Sequence, residues 1–206
     1  MEASLPLFFA AVIGFGHAFE ADHLVAVGSI VSKRDRLLLA IKDGIYWGLG
    51  HTSTIFLIGL VMIIGQATFL NDYFGYFEAG VGLMLILLGL YRLYKYRHHK
   101  AELDHLIDGH DHHHLAYGVG LIHGLAGSGA MVLLVMTEVK GSFNSLLYLL
   151  IFGLGSIAGM LVAAGIFSLP FSKKLSGKRG LKLALIMTSS ILCIGYGLYI
   201  MSENLI

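Results

Sequence analysis

The chain has 206 residues, of which 56% are hydrophobic and only 13% charged, with a mean hydropathy of +0.77. A soluble domain carries roughly 25% charged residues, so a water-exposed globule is excluded, and the net charge of +1 hides a basic set that lies beside membrane segments and implies no nucleic-acid partner. The lone cysteine, Cys193, excludes an internal disulfide and a CxxC redox pair.

Six apolar stretches, at about 5–31, 44–65, 73–94, 115–137, 143–169 and 181–201, are each long enough to cross a hydrocarbon core of about 30 Å as a helix. The expected fold is therefore all-α: a polytopic membrane protein of six transmembrane helices in a single domain over 1–206. The first stretch lacks the basic start of a signal peptide, so it is expected to remain in the mature protein. Its middle reads "GFGHAFEADHLVAVGSI", which puts His17, Glu20, Asp22 and His23 at membrane depth. A carboxylate at the bilayer centre costs roughly 2.5–3.5 kcal/mol. Something must offset two of them. At about 100° per residue, His17, Glu20 and His23 share an arc of about 120°, whereas Asp22 points about 140° from His17. Only a bend or an unwound turn brings Asp22 to both histidines, as in the broken helices of transporter ion sites.

The second stretch adds His51 in "GLGHTST", and the third holds Glu78 near its outer end, where an interfacial position is the plainer reading. A connection at about 95–114, "RHHKAELDHLIDGHDHHH", carries seven histidines and four acids, a composition suited to weak multivalent metal capture. The fourth stretch contributes His123 in "GLIHG". Glycine pairs at Gly44/Gly48, Gly120/Gly124 and Gly155/Gly159 have the spacing that lets helices meet backbone to backbone in lipid. Gly14 and Gly16 are placed to loosen the first helix before His17.

Shifting the chain by about 106 residues aligns "GFGH" ending at His17 with "GLIH" ending at His123, "WGLGHT" at Trp47–Thr52 with "FGLGSI" at Phe152–Ile157, and "LLGLYRLY" at Leu87–Tyr94 with "LCIGYGLY" at Leu192–Tyr199. Repeat one is then about 5–94 and repeat two about 115–201. Three helices per repeat is an odd number, so the halves run in opposite senses, and inverted repeats place a substrate site near the midplane where they meet. Thirteen of the fourteen Lys and Arg lie in or beside the connections after stretches one, three and five, with Lys140 the exception. The positive-inside rule makes those connections cytoplasmic and both termini external.

Imidazole nitrogens with carboxylate oxygens suit a divalent first-row metal, whose charge also offsets the buried acids. His17, Glu20, Asp22, His23, His51 and His123 are the candidate set. "HAFEADH" and "GLGHTST" resemble the two histidine motifs of the nickel/cobalt transporter family, and the chain is similar to its short six-helix branch, which includes urease-accessory-type nickel permeases. The resemblance implies metal binding by His17, Asp22 and His23 with His51. It departs in the fourth stretch, where "HGLAGSGA" replaces an acidic, threonine-rich motif and leaves His123 and Ser128 as the local substitutes.

The expected function is uptake of nickel or cobalt, with zinc a further option, through a bacterial-type inner membrane. No catalytic residue and no resident cofactor are expected. The partners are the metal ion and the lipid bilayer, with a homo-oligomer or a metallochaperone compatible with the sequence. No GxxxxGK[ST] phosphate loop occurs, and the membrane potential supplies about 4.6 kcal/mol per 100 mV for a divalent ion moving inward. An exporter, a membrane zinc hydrolase with a metal-activated water and a haem carrier with axial histidines are the alternatives.

Overall fold

A computed structural model describes residues 4–32, 34, 36–65, 72–98, 113–139, 141–171 and 179–205. Seven α-helices and no strand are found among the described residues: α1 (Ser4–His17), α2 (Ala21–Val31), α3 (Leu37–Gly65), α4 (Phe74–His98), α5 (His113–Glu138), α6 (Ser142–Ser168) and α7 (Arg179–Leu205). Four of these, over Leu37–Gly65, Phe74–Arg97, Ser142–Phe171 and Leu183–Leu205, are long and apolar enough to cross a membrane. Large apolar side chains such as Phe8, Leu38 and Phe143 are exposed on the outside of the bundle, as a lipid solvent requires. The chain is an integral membrane protein.

The first apolar stretch is two helices. At 1.5 Å per residue, the 14 residues of α1 and the 11 of α2 reach about 21 and 16 Å, each short of a full crossing. Tight turns close α1, with Phe19 N–H donating to Gly16 O and Glu20 N–H to His17 O. Glu20 is extended (φ −65°, ψ 155°), and α2 starts after it with Leu24 N–H donating to Glu20 O. Gly16 borders this turn in open space, but Gly14 does not loosen the helix: a Cβ there would overlap the carbonyl of Phe152. Further along the chain, Pro170 sits in a 3-10 turn, Leu169–Phe171, that follows the end of α6.

The helices pair closely. α3 lies against α5 and α6, α1 against α6, α4 against α7, and α2 against α6 and α7. All three glycine pairs lie at helix contacts: Gly120 meets the Trp47 carbonyl and Gly155 the Ala11 carbonyl, with no room for a Cβ at either. One apolar core gathers Val27, Val31, Trp47, Leu85 and Met160 around α2, and a second gathers Ile55, Met62, Leu149 and Phe152. The break between α1 and α2 therefore falls inside the bundle, beside the middle of α3 and α5.

Candidate metal centre

Four imidazoles converge at that break. His17 ends α1, His23 lies in the first turns of α2, His51 is in mid-α3 and His123 in mid-α5; His17 is 7% exposed and the other three are 0%. The His23 ring is the hub, with centroids 4.5 Å from His17, 5.0 Å from His51 and 4.4 Å from His123. His17 and His51 lie 5.2 Å apart.

The unwound turn does what a straight helix cannot. Asp22 Oδ1 lies 3.0 Å from His23 Nδ1 and Oδ2 lies 3.0 Å from His123 Nε2, so the carboxylate bridges α2 and α5. Glu20 Oε1 lies 2.9 Å from His17 Nδ1, with the Glu20 side chain 58% exposed. A carboxylate only accepts hydrogen bonds. Neutral His17 and His23 therefore carry their protons on Nδ1 and His123 carries its proton on Nε2. The lone pairs are left on His17 Nε2, His23 Nε2 and His123 Nδ1. Those three atoms, and both ring nitrogens of His51, are buried without a hydrogen-bond partner among the described residues.

An orphaned buried polar atom is expensive, commonly about 1–3 kcal/mol. Several close together mark a place built for a ligand that accepts nitrogen lone pairs. Two trios have ligand atoms within 4.8 Å of one another, His17 with His23 and His51, and Asp22 with His23 and His123. The donor set of imidazoles with a carboxylate suits a divalent first-row metal. Of the six sequence candidates, five thus meet in one cluster, and Glu20 touches it through His17.

Other residues here were not among the six candidates. Trp47 lies with its ring 5.6 Å from His23 and 5.9 Å from His123, forming an apolar wall; as the chain's lone tryptophan, between two motif residues, it carried a weak signal. A cavity of about 680 Å³ opens beside the cluster, bounded by His17, Glu20, Asp22, Glu78 and Glu203 among others. At the N-terminal ends of α3 and α5, Arg34 Nε donates to Asp43 Oδ2, Arg34 Nη2 donates to Asp43 Oδ1 at 2.9 Å, and His113 Nδ1 lies 2.7 Å from the same Oδ1. His113 also stacks on Tyr46 at 5.1 Å.

This corrects one sequence expectation. His113 and His114 open α5 and His98 closes α4, so they are helical residues rather than parts of the histidine-rich connection, and His113 is buried in an ion-paired knot. His99, His105, His110 and His112 lie outside the described residues, as do Lys140 and the side chain of Ser128. Arg92, counted by sequence with the basic residues beside a connection, is 4% exposed inside the bundle, with Nη1 donating to Ser29 Oγ and Ser189 Oγ at 3.1 and 2.9 Å.

The chain is 35% identical over 173 residues to the urease accessory protein UreH of Bacillus sp. (strain TB-90), a match covering 78% of this chain and 75% of the relative. No family model matches the chain. No solved structure matches it either.

Proposed function

Because the chain belongs to the family of the urease accessory protein UreH, we propose that it is a membrane permease for divalent transition-metal ions, taking up nickel or cobalt. The observation that carries this reading is the set of buried, unpartnered imidazole nitrogens on His17, His23 and His51, three histidines from α1, α2 and α3 whose ligand atoms lie within 4.8 Å of one another. The ion sits among His17, His23 and His51, with Asp22 as the carboxylate that completes and neutralises the site. His123 holds Asp22 from α5, and Glu20 fixes the tautomer of His17. A bound dication offsets the cost of burying Asp22 and satisfies nitrogens that otherwise have no partner.

Two inverted three-helix repeats make this site the meeting point of the halves, with α1 and α2 together forming one crossing. Support comes from contacts that recur at the repeat offset. Gly14 meets the Phe152 carbonyl as Gly120 meets that of Trp47, and Gly155 meets the Ala11 carbonyl as Gly50 meets that of Tyr117. Gly48 packs on Ile157, and Gly153 packs on Thr52. The helix pairs obey the same exchange, α1 on α6 matching α5 on α3 and α2 on α7 matching α5 on α4. The basic connections orient both termini outward, and the membrane potential then draws the dication inward.

The test is Ni²⁺ flux into proteoliposomes of known orientation. Parent protein should carry Ni²⁺ and Co²⁺, and His23→Ala should abolish flux while remaining folded in the bilayer. Undiminished flux in that variant would reject the site.

A further inference from the structure

The cavity beside the imidazole cluster has a composition of its own. Glu20 and Asp22 come from the α1–α2 break and the start of α2, Glu78 from the beginning of α4 and Glu203 from the end of α7, and no Lys or Arg is among the described residues that bound it. These helix ends are true neighbours: Gly75 faces Asn204, and Gly82 and Gly197 are in mutual contact. The inner wall includes His17, which is 7% exposed and whose Nε2 has no partner among the described residues. The cavity thus joins an acidic mouth to the histidine whose Nε2 is orphaned.

We propose that Glu78 and Glu203 form a cation-collecting vestibule that gathers hydrated divalent ions and delivers them to His17 and Asp22. The inference rests on the transport reading above and adds two residues to it. Carboxylate oxygens hold hydrated dications readily, whereas imidazoles bind the ion once it has shed water. Acids at the mouth and histidines at depth therefore make an ordered descent. Carboxylates of one sign in a cleft with low-dielectric walls also focus the field and raise the local concentration of the opposite charge. Among the described residues neither Glu78 nor Glu203 belongs to a group of candidate metal ligands; they act on the approach of the ion, not on its final coordination.

The experiment measures initial Ni²⁺ uptake against Ni²⁺ concentration in oriented proteoliposomes for Glu78→Gln, Glu203→Gln and the double variant, at low and at high ionic strength. The double variant should raise the half-saturating concentration about three- to tenfold at low salt, with the maximal rate near the parent's. High salt should bring the two proteins together, because screening removes the focusing of exposed charges. A half-saturating concentration equal to the parent's at low salt would overturn the proposal. So would a lowered maximal rate with half-saturation unmoved, which would mark these residues as structural. His17→Ala run in parallel separates the two readings. Loss of flux in His17→Ala with unchanged half-saturation in the glutamate variants removes the vestibule alone, and absence of flux in the parent protein removes both.

Discussion

Two clusters in this bundle are built from the same residue types and have opposite characters. Around Asp43, every carboxylate oxygen has a buried donor, two from Arg34 and one from His113. Around Asp22, the carboxylate is likewise paired, but each imidazole it or Glu20 fixes keeps one nitrogen without a partner among the described residues, and both nitrogens of His51 are without one. The first cluster is closed and holds the chain between α2 and α3 to the start of α5. The second is held open by its own hydrogen bonds. A histidine beside an aspartate in a membrane helix is thus no indicator of function by itself; what sets the second cluster apart is several imidazole nitrogens, able to offer lone pairs, left over together once the described partners are counted.

Breaking each cluster should therefore have opposite consequences. His51→Leu replaces an unpartnered imidazole by an apolar side chain of similar size. Such exchanges are close to neutral or stabilising, so Ni²⁺ flux should vanish while the free energy of unfolding in mixed micelles stays level or rises. Asp43→Asn strands Arg34 in the interior, and removing one member of a buried pair commonly costs about 3–5 kcal/mol. That variant should unfold far more easily, yet keep Ni²⁺ affinity in whatever fraction remains folded. A stable Asp43→Asn protein, or a His51→Leu protein that still transports, would erase the distinction.

The next effect is smaller and lies within the open cluster. Asp22 contacts two imidazoles on two helices and its side chain is 21% exposed, whereas Glu20 contacts one imidazole and is 58% exposed. Replacing a carboxylate that orients or completes a metal site costs about 10- to 100-fold, so Asp22→Asn should lose Ni²⁺ affinity in that range. Glu20→Gln, whose charge is largely screened by solvent and whose amide oxygen can still accept from His17 Nδ1, should lose much less. Isothermal titration of both variants in detergent ranks them. The reverse order would make Glu20 the ligand.

The difference between the clusters also governs what the sequence could disclose. "HAFEADH" puts more charge at membrane depth than one straight helix can satisfy, and angular spacing alone shows that Asp22 needs a broken turn; the turn at 18–20 answers that tension. His51 and His123 come to the same point through helix packing, which the glycine spacings hint at without fixing which faces meet. The Asp43 knot was illegible for the opposite reason. Asp43 follows Lys42 at the edge of an apolar run and resembles an ordinary interfacial acid, and His113 is concealed within a run of three histidines. Pairing among residues 9 and 70 positions apart leaves no local period to find. Arg92 is harder still, since its partners Ser29 and Ser189 are neutral hydroxyls from two distant helices.

The smallest expected effect separates histidines that sequence treats alike. His99, His105, His110 and His112 belong to the connection between α4 and α5, and its composition predicts many weak sites without fixed geometry. His113, their neighbour in sequence, is committed to Asp43 and Tyr46. Replacing the four connection histidines by Ser should lower the number of Ni²⁺ ions bound per chain at saturation, measured by equilibrium dialysis, and leave most of the flux and all of the thermal stability. His113→Ser should do the reverse, leaving the count of bound ions nearly unchanged while lowering the unfolding temperature, because Asp43 loses one of its buried donors. If the four-residue variant lost its flux, the connection would belong to the translocation path and the open cluster at the α1–α2 break would be only part of the site. If His113→Ser instead lowered ion stoichiometry without touching stability, the closed cluster would have to be regarded as a second metal site, and the contrast drawn from its saturated hydrogen bonds would fail.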